Sequence, residues 1–356
     1  MYTSLEITGF RCFKHLEIPK LARINLIGGK NNTGKTALLE ALVIGAASVY
    51  APASLLALYE MRGLPTKETF QFFSFRDLFS WAGDELRAEI AAESDKSCES
   101  FATVLEARRV SEFEVSVGEG ADTGASGGLP PTADMSGLLD LRIAHQREGG
   151  EELHAHARWQ GSKMNLSAEQ TDPPAGTHMV PVRALGTPHE EATRYGQLQV
   201  KKQERRVESA LRCIEPRLEK LESVMRGNVP VFYADLGEPP LVPIKLLGDG
   251  VHRILTIMNA LCSVSHGRVL IDEIENGLHH SVMADVWRAI AKAAEDLDVQ
   301  VFATTHSDEC IHAAYEAVPP EDLLYHRLDR VGDDIDVVTY KPPVLEAAFE
   351  TDLEVR

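Results

Sequence analysis

The stretch from Gly29 to Thr36 reads Gly-Lys-Asn-Asn-Thr-Gly-Lys-Thr, and it decides how the rest of the chain is interpreted. It matches the phosphate-binding pattern G-x-x-x-x-G-K-[ST] in full. The apolar run from Ile24 to Ile27 predicts a strand before it, and the run from Ala37 to Leu42 predicts a helix after it. This arrangement aims several backbone N–H groups at one point, where the helix N-terminus adds partial positive charge. We therefore predict an anion site.

The residue types in this loop favour a nucleoside triphosphate. Gly29 and Gly34 allow the backbone to approach an anion closely. Lys35 is expected to reach the β- and γ-phosphates, and the hydroxyl of Thr36 is expected to hold Mg²⁺. The predicted contacts to ATP lie in the loop and the residue after it: Gly29, Lys30, Asn31, Asn32, Thr33, Gly34, Lys35, Thr36 and Ala37.

A second apolar run, from Arg268 to Ile271, ends in two carboxylates, Asp272 and Glu273. An Asp at the end of a buried parallel strand beside a phosphate loop can hold the Mg²⁺ shell. The next carboxylate can accept a proton from an attacking water, which makes Glu273 the candidate general base. The sequence thus predicts a Mg²⁺-dependent ATP hydrolase.

Composition and charge narrow the class of protein. The 356 residues are 44% hydrophobic and 25% charged, values typical of a soluble globular protein. The net charge of −18 opposes a broad nucleic-acid-binding face, although a local basic strip remains possible. We find no apolar run long enough to span a membrane and no signal peptide at the N-terminus. Five scattered cysteines without a Cys-x-x-Cys pair favour a reducing cytoplasm.

The chain resembles ABC-like ATPases of the AAA-15/AAA-21 kind, relatives of the OLD (overcoming lysogenization defect), RecF and chromosome-maintenance ATPases. The resemblance rests on the turn Gly9–Phe13 between two short strands, on the G-x-N-N-x-G-K-T loop, and on the segment Asp272–His279, which reads D-E-I-E-N-G-L-H. It implies an α/β P-loop fold: a mixed central sheet flanked by helices, an antiparallel β subdomain containing the first hairpin, and a helical insertion. A Toprim nuclease domain, which full-length OLD nucleases carry, does not fit the 50 residues after His306.

The resemblance also implies roles for residues outside the two main motifs. His306, after the strand from Val299, matches a switch position that contacts the γ-phosphate. Gly248, Asp249 and Gly250 match the signature loop that completes a neighbouring subunit's site, with Asp249 as the expected helix cap. Positive charge there is expected from Arg253 or Lys245. The glutamine loop stays open among Gln71, Gln197 and Gln199, and Phe10 and Phe13 are read as core residues rather than as adenine contacts.

Periodicity predicts the remaining elements. We expect helices at 53–62, 72–81 and 204–226, the last divided at Pro216, and strands at 86–92, 101–109, 113–117, 138–144, 153–159, 229–233 and 241–244. Loose segments are expected at 118–136 and 167–176. After His306 we expect a helix, a strand at 323–327 and a hairpin at 328–340 in which Asp334-Ile335-Asp336 is structural. The predicted organisation is one domain over 1–356 with four parts. They are the first hairpin and phosphate loop at 1–50, the antiparallel β subdomain at 85–185, the helical insertion at 190–227, and a lobe with the signature loop, the acidic strand and the switch histidine at 228–356.

Two functions remain open from the sequence. The first is a Mg-ATP hydrolase that forms a homodimer or higher oligomer through ATP and regulates a partner. The resemblance implies an effector such as a Toprim-type nuclease in anti-phage defence, or a DNA transaction. The second is an ATP-holding scaffold with little hydrolysis. The carboxylate of Glu273 favours the first, because a scaffold needs no general base.

Overall fold

The computed structural model describes residues 1–62, 78–80, 86–95, 100–110, 138–160, 163–169, 176–182 and 187–350. Four predictions lie wholly or largely outside these residues: the helix at 72–81, the strand at 113–117, and the loose segments at 118–136 and 167–176, the last of which overlaps a strand at 167 and 168.

A six-stranded mixed sheet carries the phosphate loop. Its order is β16-β15-β3-β14-β13-β9, and all neighbours are parallel except the edge pair β15–β16. The strands are β3 (Ile24–Gly28), β9 (Thr177–Val180), β13 (Arg268–Ile271), β14 (Gln300–Thr304), β15 (Leu323–Val331) and β16 (Asp334–Tyr340). Because β3, β13 and β14 are parallel neighbours, their carboxyl ends meet at one edge, where the motifs lie.

A seven-stranded antiparallel sheet contains the first hairpin, as the resemblance implied, and has the order β2-β1-β4-β5-β6-β7-β8. Its strands are β1 (Leu5–Phe10), β2 (Phe13–Ile18), β4 (Arg87–Ala92), β5 (Phe101–Val110), β6 (Leu138–Arg147), β7 (Leu153–Gln160) and β8 (Lys163–Ala168). Strand β9, which we assigned to this subdomain, pairs instead with β13 in the mixed sheet.

The helices pack on both faces of the mixed sheet. They are α1 (Lys35–Ala46), α2 (Ala51–Met61), α3 (Pro188–Val200), α4 (Glu204–Leu211), α5 (Asp249–Ser263), α6 (His280–Leu297), α7 (Asp308–Ala317) and α8 (Pro342–Glu350). Alternate residues of one strand enter different cores: Leu270 packs with α1 and the antiparallel sheet, and Val269 packs with α5 and α6. Burial on both faces explains why this strand is continuously apolar. Within the described residues, no helix is both long and apolar enough to cross a bilayer.

The helix predicted from 204 to 226 is wrong in its second half. Helix α4 ends at Leu211, and β10 (Lys220–Arg226) pairs with β11 (Val229–Asp235) and, through it, with β12 (Val242–Pro243). Gly227 and Asn228 form the two-residue turn, and Gly227 has a φ of 60°. Gly-Asn between two apolar runs is a hairpin signal, which the three- and four-residue spacing of apolar residues obscured. The helical insertion therefore covers only α3 and α4.

The segment after His306 follows the prediction. Helix α7, strand β15 and the hairpin to β16 form in order, and Asp334 and Asp336 lie on β16 as structural residues. Helix α8 was not predicted. Phe10 and Phe13 are fully buried, which confirms that both are core residues.

Candidate functional site

The phosphate loop has the backbone geometry that its glycines predict. Gly29 and Gly34 have φ values of 133° and 92°, which disfavour any residue with a Cβ atom. A Cβ atom at Gly34 would also lie 2.6 Å from the sulfur of Cys12. The loop therefore requires glycine at Gly34 both for its conformation and for its packing against the first hairpin.

Lys35 lies across the mouth of this loop. Its Nζ atom donates to the carbonyl oxygens of Gly29 at 2.7 Å and Lys30 at 2.9 Å. Burial lowers the pKa of Lys35, while the charges of Glu273, Glu275 and Asp272 oppose that shift. The ammonium is thus held at the anion site by two carbonyls and by the field of three carboxylates.

Asp272 joins the loop to the neighbouring strands. The hydroxyl of Thr36 donates to the Asp272 carboxylate, with both oxygens at 3.1 Å, and the hydroxyl of Thr304 donates to Oδ1 at 2.7 Å. Asp272 is buried. A hydroxyl and a carboxylate oxygen converging at this edge are the ligands that Mg²⁺ prefers, so Thr36 and Asp272 fit the predicted metal site. The hydroxyl of Thr304 was not anticipated from the sequence.

Glu273 departs from the strand in a strained conformation. Its φ is 46°, which is uncommon for a residue with a side chain, and strain of this kind clusters at functional sites. Its N–H donates to the hydroxyl of Thr304 at 2.8 Å. Thr304 therefore holds both acidic residues, and Glu273 lines a cleft beside Thr36 and Asp272.

Arg253 was considered as a source of positive charge at the signature loop, but its side chain points into its own chain. Its buried guanidinium donates to the carbonyl oxygens of Pro181 at 2.7 Å, Asp272 at 2.5 Å and Glu273 at 3.2 Å. Burial lowers its pKa, and the carboxylates of Asp272, Glu275 and Glu273 oppose this shift. Arg253 supports the backbone of its own acidic strand and is not presented to a neighbour. Lys245 is the exposed one of the two candidates.

His306 and Glu275 form a pair at the same edge of the sheet. The backbone N–H of His306 donates to Oε1 of Glu275 at 2.8 Å, and the Nδ1 atom lies 3.0 Å from that oxygen. The imidazole is 50% exposed, so the ring is accessible on the side away from Glu275. The sequence predicted His306 but assigned no role to Glu275, although that carboxylate lies in the D-E-I-E-N-G-L-H segment.

The cleft beside these residues has a volume of 320 Å³. It is lined by Thr36, Glu40, Leu58, Met61, Arg62, Met179, Pro181, Val182, Asp272, Glu273 and Asn276. None of the described residues that line this cleft is a glutamine. Gln197 and Gln199 lie on α3, and Gln71 lies outside the described residues, so none is placed as a glutamine loop.

Glu40 is a buried carboxylate that sequence reasoning missed. Its Oε2 lies 2.9 Å from Nε of Arg11, in the first hairpin, and its Oε1 lies 2.6 Å from Nε of Arg62, after α2. Burial alone would lower the pKa of Arg62, but the hydrogen bond and charge of Glu40 raise it. Glu40 therefore ties both segments to α1, one turn beyond Thr36.

The signature loop differs from expectation at Asp249. Gly248 is the N-cap of α5 and makes no side-chain capping bond, so Asp249 is a first-turn residue and not the cap. A carboxylate in the first turn still favours the helix dipole. A Cβ atom at Gly250 would lie 2.6 Å from the carbonyl oxygen of Gly277. The signature loop thus touches the turn that follows the acidic strand of the same chain.

Apart from the candidate Mg²⁺ site, the described part of the chain contains no cluster of side chains suited to bind a metal ion. Groups of three or more His, Cys, Asp or Glu with metal-binding geometry are absent there. His279 instead caps α6 by accepting a bond from the N–H of Ser281.

Two family models match the chain. A AAA ATPase domain model matches residues 1–49, which contain the phosphate loop. A AAA domain model, whose description names the AbiEii toxin and a type IV TA system, matches residues 179–311, which contain the signature, the acidic strand and His306.

Similar proteins agree with these matches. An ATP/GTP phosphatase of Helicobacter pylori is 23% identical over 375 aligned positions, covering 91% of this chain and 90% of the relative. The chain is an ATP-hydrolysing enzyme similar to AAA ATPases, and the scaffold alternative is not favoured.

Solved structures give the fold of this ATPase. An SMC head bound to the C-winged helix domain of ScpA aligns with a TM-score of 0.52 at 13% identity, over 98% of this chain and 99% of that one. An SMC head with an extended coiled coil, bound to the C-terminal domain of ScpA derived from Pyrococcus furiosus, aligns at 0.50 with 11% identity over 98% of both chains. The predicted P-loop fold of the ABC/RecF-like type is confirmed.

Proposed function

We propose that this ATPase is a Mg²⁺-dependent dimeric switch, in which two copies close on ATP and separate after hydrolysis. The observation that supports it best is that Thr36, Asp272 and Glu273 line one cleft, with Thr304 bonded to Asp272 and Lys35 next to Thr36 in the phosphate loop. Lys35 neutralises the β/γ-phosphates, while Thr36 and Asp272 hold the metal, which polarises the phosphoryl oxygens when it is bound. Glu273 accepts the proton of the attacking water, and His306 orients that water through its exposed ring face.

A second copy would complete this site through the signature loop. Gly248 is exposed at the N-terminus of α5, where backbone N–H groups without a side-chain cap can bind an anion. Leu246, two residues earlier, is 76% exposed. The contact between Gly250 and Gly277 links this loop to the acidic strand of its own chain, so closure at one site can be sensed at the other.

The test is the mass of the Glu273→Gln protein in light scattering, with and without Mg-ATP. We expect ATP to convert a monomer into a dimer. Adding Leu246→Glu should block the dimer without disturbing the fold, because that side chain is exposed. Gly250 is unsuitable for this test, since any side chain there would strike Gly277.

Two control variants make the result decisive. Val200→Glu changes another side chain, 87% exposed, at the end of α3 and should dimerise normally. Lys35→Ala should not dimerise at any ATP concentration. A mass independent of ATP, or a Leu246→Glu protein that dimerises like its parent, would rule out the composite site.

The partner regulated by this switch is proposed to be a protein effector, as in toxin–antitoxin or anti-phage systems, or a component of a DNA transaction. Support comes from the description of the family model matching residues 179–311 and from the two SMC heads, each bound to a ScpA domain. Co-purification of a partner only in the ATP-trapped Glu273→Gln state would support this role. Equal recovery with Lys35→Ala would contradict it.

A further inference from the structure

Strand β15 continues past the end of β3 and flanks the phosphate loop. Arg327 is level with Gly28, the last residue of β3, so Leu328 to Val331 run alongside the loop itself. A Cβ atom at Gly29 would lie 2.4 Å from the carbonyl oxygen of Leu328. The hairpin formed by β15 and β16, which we call the C-terminal hairpin, is therefore in direct contact with the candidate nucleotide site.

Arg330 extends from this part of β15 to the loop. Its Nη2 atom donates to the carbonyl oxygen of Asn32 at 3.0 Å, and Asn32 has a left-handed φ of 63°. The side chain is exposed. A guanidinium carries five N–H donors, so the single hydrogen bond to Asn32 leaves most of the Arg330 donors available for a ligand.

Arg330 lies in an acidic hairpin but does not pair with the carboxylates near it. The hairpin carries four carboxylates, Asp329, Asp333, Asp334 and Asp336, and Arg327 pairs with Asp329. Within the described residues, Arg330 has no carboxylate at ion-pair distance. In a chain of net charge −18, an exposed guanidinium directed at the phosphate loop instead of at these neighbours is a candidate anion contact.

Cys12 shows on which side of the loop Arg330 lies. Burial raises the pKa of the Cys12 thiol, and the charge of Arg330 opposes that shift, so the two groups are near each other. The Cys12 sulfur packs against Gly34, whereas Thr36 and Asp272 hold the metal end of the site. A nucleotide whose γ-phosphate points to Glu273 would direct its α-phosphate and ribose to the Cys12 side.

We propose that Arg330 contacts the nucleoside end of the bound triphosphate, donating to its α-phosphate and ribose oxygens. This rests on the proposed nucleotide site at the phosphate loop. The C-terminal hairpin then supplies a substrate-binding residue in addition to the sequence motifs, and nucleoside triphosphates are distinguished from free polyphosphate at this position.

The experiment is steady-state ATP hydrolysis by Arg330→Ala and Arg330→Lys, with inorganic tripolyphosphate as a competitive inhibitor. We expect Arg330→Ala to raise KM about tenfold with kcat unchanged, the size expected for a charge-assisted hydrogen bond. Arg330→Lys should be intermediate, because it keeps the charge and loses the fork. The inhibition constant of tripolyphosphate should rise less than the KM of ATP, since tripolyphosphate keeps a phosphate at the α position but has no ribose for Arg330 to contact.

Two control variants separate this inference from the site itself. Arg288→Ala removes an exposed arginine that pairs with Asp285 on α6, and it should leave KM unchanged. Lys35→Ala should abolish activity, and normal activity there would overturn the site. With Lys35→Ala inactive, an unchanged KM in Arg330→Ala would refute the contact. Equal losses for ATP and tripolyphosphate would show that Arg330 only supports the loop.

Discussion

The Nδ1 atom of His306 lies 3.0 Å from the Oε1 atom of Glu275, which also accepts the backbone N–H of His306 at 2.8 Å. Glu275 is 12% exposed, so the carboxylate is fixed and the ring is oriented by it. With Nδ1–H donating to the carboxylate, Nε2 is the nitrogen left for the substrate side. Glu275 is therefore a positioning residue for the candidate switch.

Glu275→Ala should lower kcat about tenfold or more, because a misoriented imidazole no longer places the water. Glu275→Gln should recover part of the rate, since its amide oxygen can accept the same bonds. The measurement is a double-mutant cycle with His306→Ala. If the losses of the two single variants simply multiply, the residues act independently and the positioning role is wrong.

Glu273→Gln should bind ATP normally and hydrolyse it at least about 10²-fold more slowly, the scale expected for a general base. The amide keeps the shape of the side chain but cannot accept the proton. Phosphate release under single-turnover conditions measures the chemical step directly. A variant with the normal rate would exclude Glu273 as the base.

Lys35→Ala should abolish ATP binding, because the β/γ-phosphates lose their main side-chain cation. The carbonyl oxygens of Gly29 and Lys30 would then face the phosphates without the ammonium between them. Equilibrium dialysis with labelled ATP detects the change, with Lys292→Ala, at an exposed lysine on α6, as the control. Unchanged affinity would place the site elsewhere.

Glu40→Ala should lower the free energy of unfolding by about 3 kcal/mol, because breaking a buried ion pair leaves its partner uncompensated. The more buried of its two partners is Arg11, whose side chain is only 13% exposed, whereas Arg62 is 40% exposed. Urea denaturation of Glu40→Ala, Arg11→Met and the double variant tests the pairing. The double variant should be more stable than Glu40→Ala alone, and additive losses would contradict the coupling.

The stability of the protein should fall as pH drops from 6.5 to 4.5, in part through His326. Burial lowers the pKa of His326 to about 3, from 6.5 in an exposed histidine. Below pH 6.5 the histidine is protonated in the unfolded chain but stays neutral in the folded chain. The contribution of His326 to the free energy of unfolding is therefore complete above pH 6.5 and is lost on acidification. The loss over this interval is about 2 kcal/mol.

The variant His326→Gln should show a correspondingly smaller decline between pH 6.5 and 4.5, since it cannot titrate. Its amide can still bond to Thr339, which the imidazole contacts at 2.9 Å. Urea midpoints across this pH range provide the measurement, with exposed His189→Gln as the control variant. Parallel curves for wild type and His326→Gln would show that another group governs the pH dependence.

The arrangement of the candidate nucleotide site was largely predictable, because its contacts join residues close in sequence or residues at strand ends. Lys35 bonds to carbonyls five and six residues before it, so the loop is nearly a local structure. Asp272 and His306 follow apolar runs, and parallel strands bring such ends to one edge. The unpredicted strand β10 shows the limit of local patterns, because Leu221 is buried while Val224 and Met225 are exposed, so the helical spacing of its apolar residues did not mark a buried face.

What the sequence determined by itself was the set of elements whose signals are local: the glycine loop, the apolar strands of the mixed sheet and the acidic residues that end one of them. The tertiary structure decided the contacts between residues distant in the chain. Examples are the contacts of Glu40 with Arg11, of Arg253 with the carbonyl of Asp272, and of Arg330 with Asn32, 298 residues away. The physical reason is that burial and strand order, and not chain neighbours, bring these charged groups together.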